Sequence, residues 1–198
     1  MNLGKCLLRG VHSPFGSGAA DSQYHELLPP ISLGGQLPEQ SMPFEFYRSA
    51  ATDSSVLKIP TLGLDLAVRL RPDLTGGDLT ILETINAPGF GPPLHRHHET
   101  EIFRVLEGRY LYEVNGRRFE VSEGDVVSVP GGDAHAFVNI TDQPARPIML
   151  MLPGMDAQTF FTQLGELLAK GKQPLDVLNA FGAPWGVEFL GPPLSMSR

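Results

Sequence analysis

The sequence predicts an all-β fold: a jelly-roll barrel of two sheets, preceded by an irregular N-terminal arm and followed by short helices. Three observations lead there. Gly 22 and Pro 18 in 198 residues divide the chain into short pieces. Between these breaks apolar and polar residues alternate at the period of a strand. An Asn115-Gly116 pair stands between two such runs, RYLYEV and RRFEV, and this dipeptide supplies the positive φ values of a tight hairpin turn. At this length a single domain with extensions can bury a substantial core. No internal repeat is visible, so a two-barrel arrangement is not expected.

Residues 1–43 are rich in Gly, Ser and Pro and carry no sustained periodicity, which predicts a loosely structured arm. They contain nothing resembling a helix-turn-helix. The barrel is expected over 44–153. FEFYR and VLKIP read as short, mixed strands. From Leu62 to Leu70 the pattern is cleaner: Leu62, Leu64, Leu66, Val68 and Leu70 share a face, with Asp65 and Arg69 opposite. Pro72 and Gly76-Gly77 turn the chain into DLTILETI. Then come PLHRH, EIFRVLE, the Asn-Gly hairpin, DVVSVP, HAFVNI and RPIMLML, about nine or ten strands in all, as a two-sheet barrel requires.

After Pro153-Gly154 the period becomes helical. Phe160, Phe161, Leu164, Leu167 and Leu168 fall on one face, with Asp156 as N-cap and Lys170-Gly171 at the end. A second short helix is predicted from Pro174 to Ala180. Residues 154–198 are therefore expected to be a helical extension whose apolar face packs on the barrel.

Composition narrows the functional classes. A formal charge of −7 and no basic patch argue against nucleic acid as a partner. The single Cys6 excludes an internal disulfide. No apolar run reaches membrane-spanning length, and Arg9, Gly10 and His12 interrupt the N-terminal apolar stretch before a signal-peptide core develops. A cytoplasmic protein with no membrane partner is expected.

His95, His97, Glu101 and His135 carry the chemistry. Imidazole nitrogens with one carboxylate suit a divalent transition ion, Fe, Mn, Ni, Co or Zn, without choosing among them. Four such ligands leave about two positions of an octahedral ion open for small molecules. His95 and His97 share a strand face; Glu101 opens the next strand, with Phe103 and Val105 on its side; His135 comes from a distant one. As a ligating carboxylate, Glu101 is also the candidate to take a substrate proton. His98 points the other way by parity. Glu99 shares the parity of Glu101 but falls in the turn after His97.

These residues sit in two ordered patterns. Gly89, His95, His97, Glu101 and Gly108 form the first, and Gly124, Pro130, Gly132, His135 and Asn139 the second, with fifteen residues between Gly108 and Gly124. Together they resemble the two motifs of the cupins at every defining position. Glu99 misses the family spacing and is left out of the ligand set. The resemblance implies a jelly-roll barrel, one metal per chain held by His95, His97, Glu101 and His135, and a homodimer. In LPGMDAQTFFTQLGELL the chain is similar to the segment that follows the barrel in quercetinase-like cupins, although Met155-Asp156 replaces the usual Gly and small residue. That likeness implies dioxygenase-type chemistry on a small aromatic or enol-bearing molecule. Phe103, Tyr112, Phe137, Met149 and Met151 are the expected substrate pocket, apolar and lacking the Arg cluster a phosphosugar needs. The competing readings are a non-catalytic small-molecule binding or sensing module and a metal-assisted isomerase or lyase.

Overall fold

The computed structural model describes residues 46–50, 52 and 55–195. The expected arm, residues 1–43, lies outside them. Phe46 to Ala50 are irregular, so the part of FEFYR that is described does not form the expected strand.

Eleven strands are found among the described residues. They are β1 (Leu57–Ile59), β2 (Leu64–Leu70), β3 (Thr80–Asn86), β4 (Pro93–Arg96), β5 (Thr100–Glu107), β6 (Arg109–Val114), β7 (Arg117–Ser122), β8 (Val126–Val129), β9 (His135–Asn139), β10 (Arg146–Leu152) and β11 (Glu188–Pro193). One sheet runs β1-β2-β3-β10-β5-β8 and the other β11-β4-β9-β6-β7. Every named pairing is antiparallel. This is the expected two-sheet jelly roll.

Alternation decides which side chains enter the barrel. In β5, Glu101, Phe103 and Val105 are buried while Arg104 on the other face is exposed. β10 sends Pro147, Met149 and Met151 inward. β9 is buried on both faces: His135, Phe137 and Asn139 are on one, and Ala136 and Val138 meet Leu194 and Leu94 on the other. The predicted hairpin forms as β6 and β7, with Asn115 at φ 49° and Gly116 at φ 78°. Two positive values in succession are what a twisted two-residue turn demands.

The C-terminal region departs from the helical extension expected over 154–198. Helix α1 (Ala157–Leu168) begins as read, with Asp156 accepting from the Thr159 amide at 3.1 Å. Helix α2 (Leu175–Gly182) follows. The chain then returns to the sheet as β11, with Phe189 paired to His95 and Glu188 to Arg96. Two Pro and a Gly within LGPP hide this strand from a propensity reading; an edge position tolerates them because half of its backbone groups need no partner. Among the described residues no helix is long and apolar enough to cross a membrane.

Candidate metal centre

Strand pairing assembles the site from both sheets. His95 on β4 and His135 on β9 are direct cross-strand partners. Glu101 enters from the opposite sheet, between Met151 of β10 and Val129 of β8. His97 lies one residue beyond β4, and its carbonyl accepts from the Gly132 amide at 2.6 Å. The turn before β9 thus clamps the segment after β4. Gly131 matters for space here: a Cβ would stand 2.0 Å from the carbonyl oxygen of His98. Of the two glycines, only Gly132 has positive φ.

The three imidazoles converge. Their ring centroids are 4.4 to 5.5 Å apart, and one nitrogen from each lies within 4.8 Å of those of the others. His97 and His135 are buried and His95 half-buried. Two of the rings are hydrogen-bonded from behind through Nδ1, and the third has a carboxylate close to its Nδ1. For His95 the partner is the Pro93 carbonyl at 2.8 Å, for His135 the Asp133 carbonyl at 2.9 Å, and for His97 the Glu99 carboxylate at 3.0 Å. A donor Nδ1–H leaves Nε2 as the lone-pair nitrogen. Glu101 completes the set, its two oxygens 3.1 Å from His135 Nε2 and 3.4 Å from His97 Nε2. Neither nitrogen of His97 meets hydrogen-bond geometry despite these contacts. A buried ring with unsatisfied nitrogens, beside a carboxylate already crowded by a second imidazole, suits a cation at this point.

The electrostatics agree. Burial pushes His95 down to about 3, aided by His135, so it is neutral. Burial acts the same way on His97, but the Glu101 and Glu99 carboxylates outweigh it and hold it up at about 9. Burial would raise Glu101; His135 and His97 overcome it and keep the carboxyl well below its usual range. The field of two buried carboxylates calls for positive charge, which a proton on His97 or a divalent ion can supply.

The site opens on a cavity of about 90 Å³. Phe103, Phe137, Met149 and Met151 line it, and among the described residues the ionisable groups on its wall are His95, His97 and Glu101. Tyr112 departs from the expectation. It is fully buried behind the wall, stacked on Phe119, with an unpartnered hydroxyl. Parity put it on the right face of β6, but that strand's inward side is packed by Phe103 and Phe137. Conversely, Met155, Phe160, Phe161, Leu164 and Phe189 form the far wall. Their helical or strand patterns indicate burial, and periodicity cannot tell a face that packs on a core from one that closes a cavity. Asn139 acts locally: its amide donates to the Asn86 and Gln143 carbonyls at 3.0 and 2.8 Å. His98 is exposed, as parity indicated. Glu99 is the missed residue: although it lies in the bend after His97, it is only 4% exposed.

Comparison with known proteins follows the same lines. The family model described as Cupin domain matches residues 82–151. An uncharacterized protein of Methanocaldococcus jannaschii is 31% identical over 86 residues, 42% of this chain and 69% of that protein. An RmlC-like cupin from Shewanella frigidimarina superimposes with TM-score 0.50 at 19% identity, over 58% of this chain and 97% of its own. KdgF from Halomonas sp. gives TM-score 0.51 at 18% identity, over 58% and 99%. The nucleoside dehydratase Pac13 of Streptomyces gives 0.51 at 12% identity, over 78% and 98%. At these identities the structural likenesses speak for the fold.

Proposed function

The chain belongs to the cupin family, and from that premise we propose that it is a metal-dependent, dioxygenase-type enzyme acting on a small aromatic or enol-bearing molecule. The observation that carries this reading is the convergence of His95, His97, His135 and Glu101 beside a cavity on whose wall, among the described residues, His95, His97 and Glu101 are the ionisable groups. Among the described residues a substrate oxygen entering there finds no Arg or Lys to meet its charge. That lining favours a neutral ligand, or a weak acid such as an enol or phenol whose oxygen reaches the centre. If bound by these residues, a divalent ion would supply Lewis-acid chemistry toward that oxygen, and a redox-active one such as Fe, Mn, Co or Ni would add redox chemistry toward dioxygen.

The chain's own residues do the rest. The Pro93 and Asp133 carbonyls fix His95 and His135 with Nε2 facing the centre. Glu101 is an anion at neutral pH and, with its pKa depressed, a weak base. It takes a substrate proton only as its contacts with His135 and His97 are given up. Phe103, Phe137 and the α1 side chains Phe160, Phe161 and Leu164 exclude bulk water. A cytoplasmic location and a homodimer belong to the same proposal; light scattering at twice the 21.5 kDa chain mass checks the dimer.

The test is elemental analysis followed by turnover of flavonols and other enols in air and under argon. The expected result is about one transition metal per chain and oxygen-dependent product. Turnover that persists under argon assigns an isomerase or lyase instead. Ligand-induced stabilisation with no turnover in either atmosphere assigns a binding module.

A further inference from the structure

Glu99 has no place in the ligand set, yet it is buried as deeply as the ligands. Its side chain is 4% exposed and lies in the bend between β4 and β5. One oxygen is 3.0 Å from His97 Nδ1 and the other 3.2 Å from Nε2 of the exposed His98. The oxygen facing His97 has no partner in hydrogen-bond geometry. A buried carboxylate costs several kcal/mol unless positive charge is close, and the contacts of this one are two imidazoles.

The bend is built to hold it there. The Gly131 amide donates to Thr100 Oγ1 at 3.2 Å, the Gly132 amide to the His97 carbonyl, and Gly131 leaves no room for a side chain against His98. The turn that delivers His135 thus fixes the segment that carries Glu99.

We infer that Glu99 is a positioning residue of the metal centre, orienting His97 through Nδ1 and supplying the second negative charge that makes the loaded site neutral. The inference rests on the metal-binding reading above. His95 and His135 lean on neutral carbonyls, whereas His97 alone has a charged acceptor. A carboxylate behind an imidazole raises its basicity as a ligand. A divalent ion with Glu101 as the sole anion leaves one positive charge in a low-dielectric cavity; Glu99 cancels it. A neutral loaded centre discriminates against additional anions.

The test compares wild type, Glu99→Gln, Glu99→Asp and His98→Ala, each stripped with chelator and reloaded with Co²⁺. Competition with a chromogenic chelator gives affinity, visible absorption gives ligand geometry, and azide titration gives anion affinity. Glu99→Gln is expected to weaken Co²⁺ binding about 10–100-fold, shift the visible bands and tighten azide binding. Glu99→Asp is expected to fall between it and wild type, and His98→Ala, which removes only the exposed contact of Glu99, to weaken binding less than Glu99→Gln. Melting in chelator separates a folding defect from a binding one. If wild type and Glu99→Gln share affinity, spectrum and azide response, the inference is overturned while the metal reading stands. If wild type itself takes up no Co²⁺, both are overturned.

Discussion

At the scale of single residues, His97 is where proton and metal compete. Its pKa in the fold, about 9, lies above its ordinary value of 6.5. The stability it contributes to the metal-free protein is therefore fully present below about pH 6.5 and lost as pH rises through about 9. Metal binding requires the neutral ring, so the sign reverses for the loaded form: affinity should climb with pH until about 9 and then level off. Calorimetry at pH 7.5 in two buffers of different ionisation enthalpy should show proton release on metal uptake, and the release should shrink as pH is raised toward 9. A flat affinity between pH 6.5 and 9 would contradict the assignment. His95→Ala and His135→Ala should each remove most of the bound metal, as read by elemental analysis after desalting.

At the scale of elements, two local substitutions should separate stability from the site. Asp156 caps α1 through Thr159 rather than through any ligand, and Asp156→Ala should cost about 1 kcal/mol in denaturant unfolding with metal content unchanged. Gly131→Ala forces a Cβ against the His98 carbonyl. It should cost roughly 1–3 kcal/mol through the backbone shift and also lower metal occupancy, because the same bend carries His97 and Glu99. Equal metal content in both variants would break this link between turn and site. Phe160 ties α1 to α2 through Phe181 and to Trp185 beyond it, and faces the cavity as well. Phe160→Ala should cost about 3–5 kcal/mol.

At the scale of the molecule, the centre joins the two sheets. His95 and His135 come from one and Glu101 from the other. An ion shared among them binds only the folded chain. At a free concentration a hundred times Kd it should add about 2.7 kcal/mol, raising Tm by about 5–10 °C for a domain of this size. Melts with and without chelator check this, and His135→Ala should abolish the difference.

The sequence by itself determined the strands from Leu64 to Leu152, the Asn-Gly hairpin and the convergent His-His-Glu-His set. Each is written in local signals: alternation, turn chemistry and motif spacing. It did not determine β11, where Gly and Pro mask an edge strand that exists because β4 offers it a partner. Nor could parity show that Tyr112 is packed behind the cavity wall, or that α1 closes that cavity. Glu99 is the clearest case. Its neighbours in the chain place it in a turn, where carboxylates are ordinarily solvated. Only the clamp of Gly131 and Gly132, residues more than thirty positions away, buries it against His97. Local periodicity reports which face is apolar; what that face meets is decided by pairing between distant strands, and so by the tertiary structure alone.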